Sequence, residues 1–403
     1  MNAYISTLDE KGICDRMKKI NDWVKKNNQL LLDTYASLHE LAEVSWKEEN
    51  TRNFLCSQLD KIGVSYETFE GHYGIVVTWK GVSEAGPTIA LRTDMDALWQ
   101  NVNGEWKANH SCGHDAHMTI ALNTIRCLKE INFQPENGCF KVIFQPAEES
   151  GNGAKALIKN GVIEDIDYLL GIHVRPINEL RFNEVSPAIY HGAAAMLKGT
   201  IKGLQAHGAR PNQGINVVDS LGAIIAAVNA VKVDPTVPSS AKVTQVRAGG
   251  DSINIIPDEA EFSIDMRAQT NEAMDWLVER VIKAVQSGGE ANGATVHINI
   301  GAQMAAAKPN RLMETIVGSA IKDVLGEKSL AASPVTPGGE DFHFYPKEKP
   351  NLQATMIGLG TDLEPGLHHP NMKFNLQAIG NGVAVVTASI IKLFEKAGKQ
   401  GKA

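Results

Sequence analysis

Apolar residues recur at helical spacing over residues 14–37 and 46–62, after which the pattern shortens and alternates. Ser65–Glu70, Gly74–Lys80 and Thr88–Thr93 are expected to be strands, because their β-branched and aromatic residues are bounded by turn residues such as Gly81 and Gly86-Pro87. A helix should follow Asp115, then a strand at Phe140–Gln145, a short helix at Ala154–Asn160 and a buried strand at Tyr168–Ile172. Such alternation defines an α/β chain. From about residue 190 the order becomes strand (Met196–Lys202), helix (Ile215–Val231), strand (Lys242–Ala248), strand (Glu259–Arg267), helix (Asn271–Gly288) and strand (Thr295–Ile300). That is the βαββαβ order of a ferredoxin-like α+β unit. Helix and strand signals then resume and close on an amphipathic helix at about 376–396. We therefore expect a main domain built from 1–189 and 302–403, with a second domain, 190–301, inserted into it.

Composition changes this picture little but excludes several classes of function. The 403 residues, 43% hydrophobic and 21% charged, suffice for two cores. A net charge of -7 from interspersed acids and bases offers no basic face, so neither nucleic acid nor a membrane surface is expected as a partner. The N-terminal MNAYISTLDEKGICDRMKK has no apolar core behind its charges, and no later run approaches the ~20 apolar residues that span a bilayer. A soluble, cytoplasmic protein is expected. Of the five cysteines, Cys14, Cys56, Cys127 and Cys139 read as ordinary small apolar residues, too scattered for a disulfide framework.

Cys112 differs because of its surroundings. Ser111-Cys112-Gly113-His114-Asp115-Ala116-His117, Gln145-Pro146-Ala147-Glu148-Glu149-Ser150 and Gly171-Ile172-His173 put a thiol, imidazoles and carboxylates at the ends of three successive expected strands. The carboxyl ends of strands are where open α/β sheets form ligand crevices. Thiolate, imidazole and carboxylate together are a donor set for zinc-like ions, and of two consecutive glutamates one can bind metal while the other accepts a proton from water. This is the pattern of a metallohydrolase. A thiolate donor also requires reduction and deprotonation, so metal affinity should fall with acid and with oxidation. His110 and His117 could be ligands or could orient ligands, and Asp115 reads as a helix N-cap or an acceptor for a ligand's second nitrogen. Glu340 and Asp341, after Gly338-Gly339, could stand by the metals or stabilise a turn. A cysteine hydrolase using Cys112 and His114 is a rival, but it leaves Glu148-Glu149 and the later histidines without a role.

Six ordered segments carry a resemblance: Leu91-Arg92-Thr93-Asp94-Met95-Asp96-Ala97-Leu98, Cys112-Gly113-His114-Asp115, Pro146-Ala147-Glu148-Glu149, Gly171-Ile172-His173, Gly339-Glu340-Asp341-Phe342 and Leu367-His368-His369-Pro370. From about residue 30 onward the chain resembles the metal-dependent amidohydrolases of the aminoacylase and carboxypeptidase superfamily, in the branch of N-acyl amino acid deacylases, hippurate hydrolases and plant auxin-conjugate hydrolases. The resemblance implies a zinc-peptidase-like α/β catalytic domain with the inserted ferredoxin-like unit as a lid or dimerisation domain. It further implies two divalent metal ions, zinc, manganese, cobalt or nickel, held by Cys112, His114, Glu149, His173 and His368, with His368 favoured over His369. Glu148 would be the general base, and Asp96, more than Asp94, would orient an imidazole ligand. In the inserted domain His207, Asn254 and Arg267 match substrate-holding positions. His207 would serve the oxyanion, and Arg267 would clamp a free carboxylate. The implied substrate is a small N-acyl amino acid or short acyl peptide, with a homodimer through the inserted domain. A dipeptidase or carboxypeptidase on the same site and a non-catalytic small-molecule binder keeping the fold are the alternatives. The chain departs from the branch at Trp99-Gln100, where Pro-Ile is usual, at Ala42 and Asn216, and at Val174-Arg175-Pro176 after His173. Trp99 and Arg175 could reshape the acyl pocket.

Overall fold

Residues 15–400 are described by a computed structural model. The chain divides into two compact units. The first holds the chain up to Ile189, Pro309–Pro334 and everything from Phe344 onward. Its centre is a seven-stranded mixed sheet in the order Tyr66–Thr68, Ile75–Lys80, Asn137–Gln145, Ser83–Asp94, Tyr168–Pro176, Gln353–Leu363, Val185–Ser186. The inner strands Asn137–Gln145, Ser83–Asp94, Tyr168–Pro176 and Gln353–Leu363 run parallel, and the flanking ones antiparallel. Parallel strands are covered on both faces, which is why these read as nearly continuous apolar runs. Ile89, Ala90, Leu91, Val142, Ile143, Phe144, Leu169 and Leu170 are all fully buried. The helices His114–Glu130, Arg311–Leu325 and Ala378–Gln400 pack into the same core. Each fully buried aliphatic or phenyl side chain in it contributes roughly 1.5–3 kcal/mol of transfer free energy.

The expected elements are present, with instructive differences at their ends. The first helical stretch breaks at residue 27, giving 15–26 and Asn28–Glu40, where Asn27 donates its side-chain N–H back to the Trp23 carbonyl. The strand from Tyr168 continues to Pro176, so His173 lies within it rather than beyond its end. A hairpin, Leu98–Val102 with Glu105–Asn109, went unforeseen although its turn is Asn103-Gly104, both at positive φ (55° and 95°), a strong short-range hairpin signal. Contrary to expectation, one segment, Ala378–Ala397, is long and apolar enough to span a bilayer, but it is 83% buried and serves as a core helix. Cys14 lies outside the described residues.

The second unit comprises Tyr190–Lys308 and Val335–His343. Its four antiparallel strands are ordered Ser239–Ala248, Glu259–Ala268, Ala193–Lys202, Thr295–Met304, and helices Val217–Ala230 and Asn271–Glu290 close its own core. This is the ferredoxin-like arrangement. Asn216, one of the departures noted above, caps the first of these helices by accepting the Val218 N–H. The unit runs seven residues past the boundary expected from sequence and also takes in Val335–His343, which pairs beside Tyr190–His191.

Candidate metal centre

The register of the parallel strands sets the site. Asp94 is opposite Gln145, and Arg92 opposite Gly171, so the ends of three strands bring Asp94, the Pro146–Glu149 turn and His173 to one level. The helix His114–Glu130 starts beside them. Gly113 at its N-cap has φ 85°, and a Cβ there would come within 2.5 Å of Val174 Cγ2, so only glycine lets the Cys112-His114 turn lie against the His173 strand.

Imidazole tautomers follow from the main-chain groups around them. His114 Nδ1 is 2.8 Å from the Asp96 carbonyl oxygen and His173 Nδ1 is 2.7 Å from that of Val174; carbonyls only accept, so both Nδ1 atoms carry the proton. That leaves each Nε2 lone pair directed into the site. His173 Nε2 is 3.5 Å from Cys112 Sγ, and His368 Nε2 is 3.3 Å from the same sulfur and 3.5 Å from Glu149 Oε1. His114 Nε2 stands 3.9 Å from both Glu149 Oε1 and Glu148 Oε2. Two triads result, Cys112-His114-His173 and Cys112-Glu149-His368, sharing the sulfur.

These residues fit divalent cations. Tetrahedral ligands at ~2.0–2.3 Å from a metal are ~3.3–3.8 Å apart, close to the separations above. His114 Nε2 and Glu149 Oε1 are buried without a hydrogen-bond partner, which a folded protein tolerates only at some cost. Burial would lower the His114 pKa, but Asp94 and Cys112 hold it well above the ordinary value, so the pocket favours positive charge at this nitrogen. Burial, followed by the charge of Glu149, pushes the Cys112 thiol well up, so the thiol releases its proton readily only to a cation, and burial pushes Glu149 up to about 7. Burial keeps His173 neutral by driving its pKa well down, with His117 and Arg175 adding to the effect.

Other sequence candidates take supporting positions. His117 accepts the Val174 N–H at Nε2 (3.0 Å) and donates from Nδ1 to Asp94 (2.8 Å), so both its nitrogens are engaged away from the triads. His369 Nδ1 accepts the Asn371 N–H, leaving His368 as the histidine beside Cys112. His110 is buried, with neither ring nitrogen hydrogen-bonded, and burial drives its pKa down to about 4. Asp115 is in the first helical turn rather than at the N-cap, and accepts from His39 at 2.6 Å. Asp96 lies against His114, its carboxylate Oδ1 3.6 Å from His114 Nδ1. Its main-chain carbonyl orients His114, while its carboxylate accepts the N–H groups of Glu148 (3.0 Å) and Glu149 (3.1 Å) and the Ser45 hydroxyl (2.6 Å). It thus fixes the turn that carries the two glutamates.

In the second unit, His207 and Asn254 are exposed neighbours, with Gly208 N–H donating to the Asn254 carbonyl at 2.7 Å. Arg267 is not free: its fork is held by Asp265 at 2.9 and 3.0 Å. Glu340 accepts the Phe342 N–H within its own turn. In the first unit, Trp99 is 60% exposed, and Arg175 is buried and paired with Glu179 at 2.7 Å.

Two features escaped the sequence. Arg92 is fully buried, donating to Asp94 (2.6 Å) and to Gln145 (2.8 Å), which also accepts from Tyr345 (2.9 Å). The signal was a lone charge closing the apolar run Ile89-Ala90-Leu91. His114, His117 and Arg92 together hold Asp94 well below the ordinary carboxylate range, against the burial that would raise it. Glu48 is the second. Its Oε1 accepts the N–H groups of Trp46 (3.0 Å) and Ala147 (2.9 Å), residues with φ of 65° and 57°. One carboxylate therefore pins two left-handed residues, the second immediately before Glu148, and nothing in the local pattern announces a contact 99 positions away.

Burial, then the charge of Asp96, pushes the Glu48 pKa up to about 7 from an ordinary 4.5. A folded-state pKa above the unfolded one adds stability that is present below about 4.5 and lost as pH rises through about 7. Glu48→Gln, which keeps the acceptor, should therefore match wild type in denaturant unfolding near pH 4.5 and exceed it by up to about 3 kcal/mol at pH 8. Glu48→Ala should instead lower kcat about 100-fold through misplacement of Glu148. Equal kcat for the Ala and Gln variants would contradict the pinning role.

A family model described as peptidase family M20/M25/M40 matches residues 90–392. An IAA-amino acid hydrolase ILR1-like 5 of Arabidopsis thaliana is 27% identical over 350 residues, 84% of this chain and 80% of that one. The hippurate hydrolase of Campylobacter jejuni is 29% identical over 354 residues, 84% of this chain and 90% of its own. Among solved structures, the YXEP protein of Bacillus subtilis, described as a dinuclear metal-binding peptidase, superposes with a TM-score of 0.79 at 23% identity, covering 92% of this chain and 99% of its own. With this match and the fold it accompanies, the chain belongs to the M20/M25/M40 peptidase family.

Proposed function

We propose that this protein is an amidohydrolase that uses two divalent cations to cleave N-acyl amino acids, or short acyl peptides, into a carboxylate and a free amine. The observation that carries this reading is the pair of donor triads sharing Cys112 Sγ, with the Glu148 carboxylate beside them, 3.9 Å from His114 Nε2. Cys112, His114, Glu149, His173 and His368 would hold the cations, which when bound would polarise the amide carbonyl and make water a stronger nucleophile.

Glu148 is outside both sulfur-sharing triads, and its proposed role is to take the proton from the attacking water and return it to the departing nitrogen. Asp96 and Glu48 hold its turn in place. In the second unit, His207 is proposed to donate to the developing oxyanion, Asn254 to contact the substrate, and Arg267 to bind the substrate carboxylate in exchange for Asp265. The edge strand Ser239–Ala248 is almost entirely exposed, which supports proposing that this unit pairs two copies of the chain. Light scattering should then give twice the chain mass, and a monomer at micromolar concentration would contradict the pairing.

The reading is tested by hydrolysis of N-acetyl, N-benzoyl and N-indoleacetyl amino acids by metal-depleted protein resupplied with zinc, manganese, cobalt or nickel. Metal-restored cleavage of at least one acylated series is expected. Faster cleavage of free-amine dipeptides would move the assignment to a dipeptidase, and no bound metal with any supplied ion together with no cleavage would move it to a binding protein.

A further inference from the structure

We infer that Gln100 is a positioning residue for His368: its amide holds that residue's main chain in the conformation that aims the imidazole at Cys112 and Glu149. The inference rests on the reading of His368 as a metal ligand. His368 has φ 63°, a region that non-glycine residues enter only when their surroundings impose it. Its loop is tied at the base by the reciprocal main-chain pair Glu364 and Lys373, and near His368 by residues from the Leu98–Asn109 hairpin and the segment that follows it.

Gln100 is the centre of that tie. Its Nε2–H donates to the His368 carbonyl at 2.7 Å, while its Oε1 accepts from the Ser111 hydroxyl at 2.8 Å and from Asn109 Nδ2 at 3.1 Å. Asn109 donates again to the Pro370 carbonyl at 3.1 Å, and the Ser111 carbonyl accepts the His368 N–H at 2.7 Å. The His368 and Pro370 carbonyls can only accept, which fixes the amides of Gln100 and Asn109, and the Ser111 hydroxyl then donates to the Gln100 oxygen. The hairpin register puts Gln100 and Asn109 on one face and Trp99 and Trp106 on the other. Ser111 directly precedes Cys112, so one side chain sets the spacing between His368 and the sulfur that both triads share. The His368 ring is 53% exposed and lacks the packing that fixes His114 and His173. Its direction therefore depends on these main-chain bonds.

Cobalt(II) titration of the full-length metal-free chain, followed by visible absorption, tests this alongside the melting temperature of the metal-free protein. Gln100→Glu keeps the acceptor for Ser111 and Asn109 but sets an oxygen against the His368 carbonyl; Gln100→Leu removes both functions; His368→Ala is the reference. Outer partners of metal ligands typically govern about 10- to 100-fold in affinity. Both Gln100 variants should weaken one of two cobalt equivalents by about that factor, leaving the other equivalent and the melting temperature close to wild type. Wild-type affinity at both equivalents, with one equivalent lost in His368→Ala, overturns the inference alone. Weakening of both equivalents with a lowered melting temperature also overturns it, because Gln100 would then only hold the hairpin. Two wild-type equivalents in His368→Ala overturn the ligand assignment beneath it.

Discussion

Glu148→Gln is expected to lower kcat by about 10³-fold while the protein keeps its full metal content. In the proposed mechanism the two consecutive glutamates divide the labour. Glu149 Oε1 is drawn into the triad with Cys112 and His368, whereas Glu148 belongs to neither sulfur-sharing triad and lies on the same turn, its main-chain N–H fixed by the Asp96 carboxylate at 3.0 Å. Glutamine is nearly isosteric but cannot take a proton from water, and positioned proton transfer commonly supplies about 10²–10⁴-fold in rate. The loss should appear in kcat and kcat/KM alike, because the lost interaction is one made in the transition state. Single-turnover measurements beside elemental analysis check this, and near-wild-type turnover at full metal load would mean that the base is another group.

Cys112→Ala should have the opposite signature. The sulfur is common to both triads, so its removal should weaken both cations, by more than the ~10- to 100-fold that outer partners alone govern. Activity should fall below detection at ordinary metal concentrations and recover in part only at high concentration. The substitution also relieves the metal-free protein of a buried ionisable group, so its melting temperature should not fall in step. Retention of one tight cation with measurable turnover would show that the thiolate is not shared.

How much of this was legible beforehand depends on sequence distance. The two cores were, because buried parallel strands and amphipathic helices print their periodicity locally, and the βαββαβ order of the second unit survives with element ends shifted by a few residues. Part of the candidate cluster was too, since Cys112 and His114 are close neighbours in the chain and Glu149 and His173 end or nearly end their strands, whereas His368 entered only through the resemblance. The role of each polar neighbour was not. His117 differs from His114 in giving Nε2 to the Val174 N–H and Nδ1 to Asp94, a matter of helix rotation against a strand 57 residues away. Asp96 holds a turn 52 residues away as well as lying against His114, and Glu48 reaches that same turn from 99 residues off. Arg267 is paired with Asp265, two residues before it on the same strand, a contact that its own position did not announce. The hairpin at Asn103-Gly104 is the exception: its turn signal is local, but none of its strand residues is buried, so the strands lack the apolar alternation that would mark them.

A two-cation centre built around one cysteine underlies every step proposed for this protein. Anomalous diffraction from crystals grown with zinc examines that centre itself. Two peaks, each about 2.3 Å from Cys112 Sγ, one toward His114 and His173 and the other toward Glu149 and His368, are the predicted result. A single peak, or peaks that leave the sulfur uncoordinated, would contradict it.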